Sequence, residues 1–220
     1  MTWQEYFLTR LEQFDFKPWP FYGDDKNLLA FGSKEEFASW YCQPPGQVGE
    51  PYRDESFYPR EFTNLSRLVC PKKIVEFGTS LGIGTLILRI LNPDAELITV
   101  DNRTMQYIPG NIEVVTGLLA IHEGIKASFV HGKSWEFATA NVELCFIDAD
   151  HSYEGVAADN ERAWKNRNPE RGAIFWHDHN NRHLGVMRAV KEFVERHQLT
   201  LKATSDSAIV WTEWGIPCAA

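Results

Sequence analysis

Residues 61–220 alternate between two hydrophobic patterns. Short apolar runs occur at 73–77 (KIVEF), 96–101 (ELITVD), 126–132 (KASFVHG), 143–148 (ELCFID) and 172–178 (GAIFWHD). Runs this brief, rich in Ile, Val and Phe, predict buried strands. Between them, apolar residues recur every three or four positions, which predicts helices over 61–69, 82–92, 154–166 and 184–197. The stretch 111–124 is ambiguous and is expected to become helical toward Gly124. LTLKAT (199–204) and SAIVWTE (207–213) predict a final antiparallel pair. Strands alternating with helices imply βαβ units. The expected fold is therefore α/β and doubly wound: a mostly parallel seven-stranded sheet with helices on both faces and an antiparallel C-terminal pair.

Residues 1–60 lack this alternation. They hold Trp3, Trp19 and Trp40, many Phe and Tyr, and the Pro-rich breaks KPWP and QPPGQVGEPYRDE. Short helices are expected at 2–14 and 34–41. The segment reads as an N-terminal helical and loop cap packing its aromatics on the main domain, or as a lid over a ligand site. Its aromatics are also compatible with a homodimer. The division expected is a cap or lid over 1–60 and a main domain over 61–220.

A formal net charge of -8 argues against a nucleic-acid partner, which needs a basic surface. No run approaches the length of a membrane span, and MTWQEYFLTR lacks the apolar core of a signal peptide. Four cysteines without CxxC spacing suggest a reducing, cytoplasmic setting.

The candidate chemistry lies at strand ends. VEFGTSLGIGT (75–85) leaves the first strand and opens a helix, with glycines at 78, 82 and 84. Glycines there allow a sharp turn and close backbone approach to a ligand, and helix amides can meet its polar groups. The spacing differs from the GxGxxG of dinucleotide-binding folds. Asp101 closes the second strand, where its carboxylate can accept hydrogen bonds from both ribose hydroxyls of an adenosine. Glu76 precedes the turn, where an acid can reach toward an ammonium group. Glu76-Phe77-Gly78-Thr79-Ser80-Leu81-Gly82, with Asp101, resembles the first motif and second-strand acid of the class I S-adenosylmethionine-dependent methyltransferases, which have a Rossmann-like fold. The resemblance implies S-adenosyl-L-methionine as cofactor. It assigns Glu76, Gly78, Thr79, Ser80, Gly82, Gly84, Asp101 and Asp148 to its binding, and puts Gly132, Lys133 and Ser134 beside the adenine. Ser134 could instead cap the short helix after it.

The fourth and fifth apolar runs end in CFIDADHSYEG (145–155) and FWHDHNN (175–181). A parallel sheet collects such ends on one edge, so Asp148 and Asp178 are expected side by side. Two carboxylates at one mouth suit a divalent cation between them. IDADHSYEGV, GAIFWHDHN and GVMRAVKEF together resemble the metal-dependent small-molecule O-methyltransferases and the methyltransferase family 24 group. In the catechol and caffeoyl-coenzyme A type the fourth strand ends in a metal-binding Asp and the fifth in Asp-Asn. Asp148 and Asp178 match the two acids, and His179 stands in place of Asn. In a related branch acting on antibiotic precursors the fifth strand ends in two successive acids, against which His177-Asp178 is the match. The third ligand is His177 or His179. A histidine ligand would shift the preference from Mg²⁺ toward Mn²⁺, Fe²⁺ or Zn²⁺. His151 occupies the position of the family's lysine base, three residues after Asp148, and is the expected proton acceptor. His183, nearby, reads as a surface residue.

The resemblance, which covers about residues 61–212, implies O-methylation of a small hydroxylated molecule with help from Mg²⁺ or Mn²⁺. Two other readings use the same residues: a metal-dependent hydrolase or oxygenase, and a nucleotide-binding protein without chemistry.

Overall fold

The computed structural model describes residues 1–16, 33–42, 59–79, 82–102, 126–204 and 207–216. Strands β1 (Lys73–Phe77), β2 (Glu96–Asp101), β3 (Ser128–His131), β4 (Leu144–Ile147), β5 (Gly172–Trp176), β6 (Lys202–Ala203) and β7 (Val210–Trp214) form one sheet in the order β3-β2-β1-β4-β5-β7-β6. Neighbours from β3 to β5 pair in parallel, whereas β7 runs antiparallel to both β5 and β6. The expected doubly wound sheet with its antiparallel C-terminal pair is what forms. Strand β6 is shorter than the predicted run, and the stretch 111–124 lies outside the described residues.

Side-chain alternation divides the strands between two cores. Ile74, Leu97, Leu144, Phe146, Ala173 and Phe175 face one layer, while Val75, Phe77, Ile98, Cys145, Ile147, Ile174 and Trp176 face the other. The first layer is covered by helices α1 (Trp3–Gln13), α2 (Lys34–Cys42), α3 (Pro59–Val69) and α4 (Ile83–Leu91). The second is covered by α5 (Tyr153–Asn166) and α6 (Leu184–Arg196). Residues two apart on a strand point to the same face, so runs buried on both faces read as continuously apolar.

Two helices of the N-terminal segment belong to the first core. Phe7, Phe37 and Tyr41 are buried against one another, with ring centroids 4.3–6.2 Å apart, in the same cluster as Phe62 and Leu86. Thr2 caps α1 through a reciprocal bond pair with Glu5, as its position before an acid three residues on allows. These side chains pack in the same core as the sheet residues of the first layer. The Pro-rich stretches on which a lid would depend fall within 17–32 and 43–58, outside the described residues.

Polar ties inside the layers fix their spacing. Arg89, buried at the end of α4, donates to the carbonyls of Asn92, Pro93, Ala95 and Lys126, joining the helix C-terminus to the approach of β3. On the opposite face, the buried Trp176 indole N–H donates to Asn160 Oδ1 at 2.6 Å, and Asn160 Nδ2 donates to Ala189 O in α6. Ser134, in the short turn after β3, donates to Asp159 Oδ1 of α5 at 2.5 Å. Burial pushes the Asp159 carboxyl up to about 7, against the lowering effect of the Ser134 hydroxyl.

A carboxyl whose folded pKa lies above its unfolded value, about 3.9 for Asp, binds more protons when folded. Its contribution to stability is therefore fullest below the unfolded value and is lost as pH rises through the folded one. Asp159→Asn should have a urea midpoint that gains on the wild type between pH ~5 and ~8. Parallel pH profiles of the two proteins would contradict a buried, protonated Asp159.

Candidate active site at the carboxyl edge of the sheet

Register builds the site. Phe77 pairs with Val100 and with Ile147, and Ile147 pairs with Trp176. The next residue of each strand therefore stands in one row: Asp101, Gly78, Asp148, His177. Three bonds continue the ladders into that row, from Gly78 N–H to Val100 O, Asp148 N–H to Phe77 O and His177 N–H to Ile147 O. Strand order reverses between β1 and β4, and ligands of open α/β sheets bind at such a switch point.

Gly78 adopts φ +93°, and a Cβ there would lie 1.9 Å from the Asp148 carbonyl oxygen. Only glycine allows the ends of β1 and β4 to approach this closely. Thr79 N–H then donates to Asp101 Oδ2 at 3.0 Å, and the Thr79 and Thr99 hydroxyls bond at 2.5 Å. Gly82 begins α4 in the left-handed region at φ +80°. Gly132 N–H donates to Asp101 O, and a Cβ at Gly132 would meet nothing within 4 Å. Gly78, Thr79, Asp101 and Gly132 are thus brought together around an open edge. Ser80 lies outside the described residues.

Two expected cofactor residues are placed differently. Glu76 is 1% exposed. Its carboxyl accepts from the Thr85 hydroxyl, with Oε1 beside Gly84, where any Cβ would collide with it. Burial pushes Glu76 up to about 8, against the hydrogen bonds from Thr85 and Thr99. Glu76 thereby ties β1 to the start of α4, from below the glycine turn. Ser134 makes no capping bond; its hydroxyl is turned inward to Asp159. Lys133 is over half exposed, with its ammonium 5.4 Å from the Trp135 ring centroid and 4.0 Å from Glu136.

At the other end of the row, acids and imidazoles converge. His177 extends the alternation of β5 toward the Phe146 side, its ring 6.3 Å from that of Phe146. Asp178 adopts φ +58°, which breaks the alternation and lets its carboxylate return to the same mouth. His177 Nδ1 lies 3.1 Å from Asp178 Oδ2 and 3.6 Å from Asp148 Oδ1. His151 Nε2 lies 3.1 Å from Asp178 Oδ2 and 3.4 Å from Asp148 Oδ1. Asp148, His177 and Asp178 form one set able to share a cation, and His151, Asp178 and His183 form another. His179 belongs to neither; its backbone N–H donates to Ala208 O beyond the sheet end.

The site's electrostatics follow from these contacts. Burial raises the Asp178 carboxyl, but hydrogen bonding to His177 and the charges of His177, His151 and His183 outweigh it and hold the group below its ordinary value. The hydrogen bond to Asp148 raises His151; burial opposes this, and the charges of Asp148 and Asp178 reinforce it. Burial lowers His179.

Sequence reading missed two members. His183 has Nε2 3.8 Å from Asp178 Oδ1 and its ring 4.7 Å from that of His151. The turn that returns it, Asn180 N–H to Asp178 O and His183 N–H to Asn180 O, is local and carries no hydrophobic signature. Asp159 was legible: it shares the buried face of α5 with Val156 and Ala163, where an acid is out of place.

Residues 75–179 match a family model described as a methyltransferase domain. No curated protein gives a significant sequence match. Among solved structures, the chain resembles CalS11, a TDP-rhamnose 3'-O-methyltransferase of calicheamicin biosynthesis, with TM-score 0.55 and 19% identity over 70% of this chain and 77% of that one. It resembles Podospora anserina methyltransferase PaMTH1, bound to SAH, with TM-score 0.55 and 15% identity over 75% and 82%. An O-methyltransferase from Bacillus cereus in complex with SAH gives TM-score 0.51 and 16% identity over 76% and 83%. These likenesses are of fold. The family match spans β1 to β5, the part of the sheet that carries the glycine turn and the row of strand ends.

Proposed function

We propose that this protein is an S-adenosylmethionine-dependent methyltransferase that acts on a hydroxyl of a small molecule, aided by a divalent cation at the mouth formed by Asp148, His177 and Asp178. The convergence of these three side chains beside the Gly78 turn is the observation that carries the reading. The O-methyltransferase activity of CalS11 and of the Bacillus cereus protein supports oxygen as the acceptor.

The residues present fit both groups. Gly78 itself carries no side chain, Thr79 N–H donates to Asp101 beside it, and a Cβ at Gly132 would meet nothing within 4 Å. Asp101 would meet the ribose hydroxyls there, because an ionised carboxylate accepts from two donors at once. For the cation, ligands about 2.1 Å from a common centre lie about 3.0 Å apart at right angles and about 3.4 Å apart at the tetrahedral angle. The 3.1 Å separation of His177 Nδ1 from Asp178 Oδ2 lies in that range, and its 3.6 Å from Asp148 Oδ1 lies slightly above it. A bound divalent cation would lower the pKa of a hydroxyl coordinated to it.

Methyl transfer itself asks little covalent chemistry of the protein. The substrate oxygen forms a bond to the methyl carbon, the carbon–sulfur bond breaks, S-adenosylhomocysteine leaves, and the hydroxyl proton is released. The chain's contribution is alignment of oxygen, carbon and sulfur, which positioning on a rigid sheet edge supplies. His151 was expected as proton acceptor. Its Nε2 lies 3.4 Å from Asp148 Oδ1 and 3.1 Å from Asp178 Oδ2, at the same mouth.

Isothermal titration should detect binding of S-adenosylmethionine and S-adenosylhomocysteine. Asp101→Ala should weaken both about 10–100-fold, the equivalent of one or two charge-assisted hydrogen bonds; unchanged affinity would remove Asp101 from the site. Asp178→Asn, which keeps side-chain shape, should retain cofactor affinity and lose at least ~100-fold in turnover on an accepted substrate. Full turnover by this variant would refute a role for the metal.

A further inference from the structure

The four ligand atoms nearest the mouth form a closed ring that alternates oxygen and nitrogen. Its sides are Asp148 Oδ1 to His151 Nε2 at 3.4 Å, His151 Nε2 to Asp178 Oδ2 at 3.1 Å, Asp178 Oδ2 to His177 Nδ1 at 3.1 Å, and His177 Nδ1 to Asp148 Oδ1 at 3.6 Å. Neighbouring ligands of one small cation lie about 3.0–3.4 Å apart for bonds of about 2.1 Å; both sides at His151 and the His177–Asp178 side fall in that range, and the His177–Asp148 side, at 3.6 Å, is slightly longer. We infer that His151 is a metal ligand, completing a centre of two imidazoles and two carboxylates that takes a divalent transition-metal ion in preference to Mg²⁺. This rests on the metal site proposed above and changes both its ligand count and its ion.

Charge balance favours ligation over a cluster of ion pairs. The His177 and Asp178 side chains are 6% and 7% exposed, so this end of the ring is withdrawn from water. Two ionised carboxylates and two neutral imidazoles are balanced by one divalent ion. Pairing without a metal requires two cationic rings to share the same two acids, each near the other's charge. Two nitrogen donors also set the ion class. Imidazole suits Zn²⁺, Fe²⁺, Co²⁺ and Mn²⁺, whereas Mg²⁺ and Ca²⁺ favour oxygen.

His151 is held in place by its surroundings. Asp150 accepts from the Ser152 backbone N–H and hydroxyl, and Ser152 caps α5 through Gly155 N–H. Gly185, at the start of α6, packs so closely that a Cβ there would lie 2.8 Å from the His151 carbonyl oxygen. His183 then acts as a positioning residue. Its Nε2 faces Asp178 Oδ1, the oxygen outside the ring, and its ring stands at 70° to that of His151. Such outer contacts fix the orientation of metal-binding carboxylates and imidazoles.

The test titrates chelator-treated protein with Co²⁺ while recording its visible d–d absorption, with Mg²⁺ as competitor. X-ray absorption of the Co²⁺-loaded protein counts the imidazole ligands. The wild type should bind one equivalent of Co²⁺ through two imidazoles, undisplaced by millimolar Mg²⁺. His151→Ala should show one imidazole, an altered spectrum and affinity at least about tenfold weaker. His183→Ala should keep two imidazoles with a smaller loss of affinity. S-adenosylhomocysteine titration of each variant shows that the fold and nucleoside site persist. Two results overturn the inference: a His151→Ala spectrum and Co²⁺ affinity equal to wild type, or Mg²⁺ displacing Co²⁺ at comparable concentration. In either case loss of Co²⁺ in Asp178→Asn would leave the proposed metal site standing. Absence of Co²⁺ binding in the wild type overturns both metal statements, and the nucleoside titration then tests the methyltransferase separately.

Discussion

The register of β1, β4 and β5 is the constraint on which the rest depends. Because Phe77, Ile147 and Trp176 stand opposite one another, the residues that follow them leave the sheet in one row. That row brings a glycine turn, an aspartate and a histidine to neighbouring positions about 4.8 Å apart. A shift of one residue in any strand would send its last side chain to the opposite face and scatter the group. Burial of both sheet faces holds the register, since slippage would exchange the Val75–Phe77 set with the Ile74–Glu76 set between two differently shaped cores.

Glu76 shows what the arrangement demands. It lies on the side of β1 that faces α4, in a region otherwise apolar, and its burial is offset by hydroxyls from Thr85 and Thr99. This contact sets the height of α4 above β1 and so the shape of the turn between them. Gly84 supplies the room for it. Chemistry and packing are therefore separated at this edge. Glu76 and Asp159 brace it from inside the protein, while Asp101, Asp148 and Asp178 carry the proposed ligand contacts.

Much of this was legible in the sequence. Period-two and continuous apolar runs located the strands, and the glycine spacing followed by Asp101 located the turn. The acids after the fourth and fifth runs located the mouth. The choice between His177 and His179 was not legible, because it depends on the positive φ of Asp178, which cancels the alternation expected of a strand. Glu76 was legible as a member of the motif but not in its orientation, which Thr85 and Thr99 determine from other elements. His183 was read as a surface residue because its position depends on a polar turn, and polar turns leave no periodic trace. The aromatic segment before residue 60 lacked a strand pattern for a physical reason: α1 and α2 cover one side of the first core as helices, adding Phe7, Phe37 and Tyr41 without extending the sheet.

A nucleoside on the Asp101–Gly78 half of this row would meet a cation on its Asp148–His177 half. Anomalous diffraction from crystals grown with S-adenosylhomocysteine and Mn²⁺ tests it most directly. One Mn²⁺ peak is expected about 2.0–2.4 Å from Asp148, His177 and Asp178, with the ribose on Asp101 and the sulfur facing the metal. A nucleoside bound away from the Gly78 turn, or Mn²⁺ bound at a place that excludes Asp148 and Asp178, would contradict it.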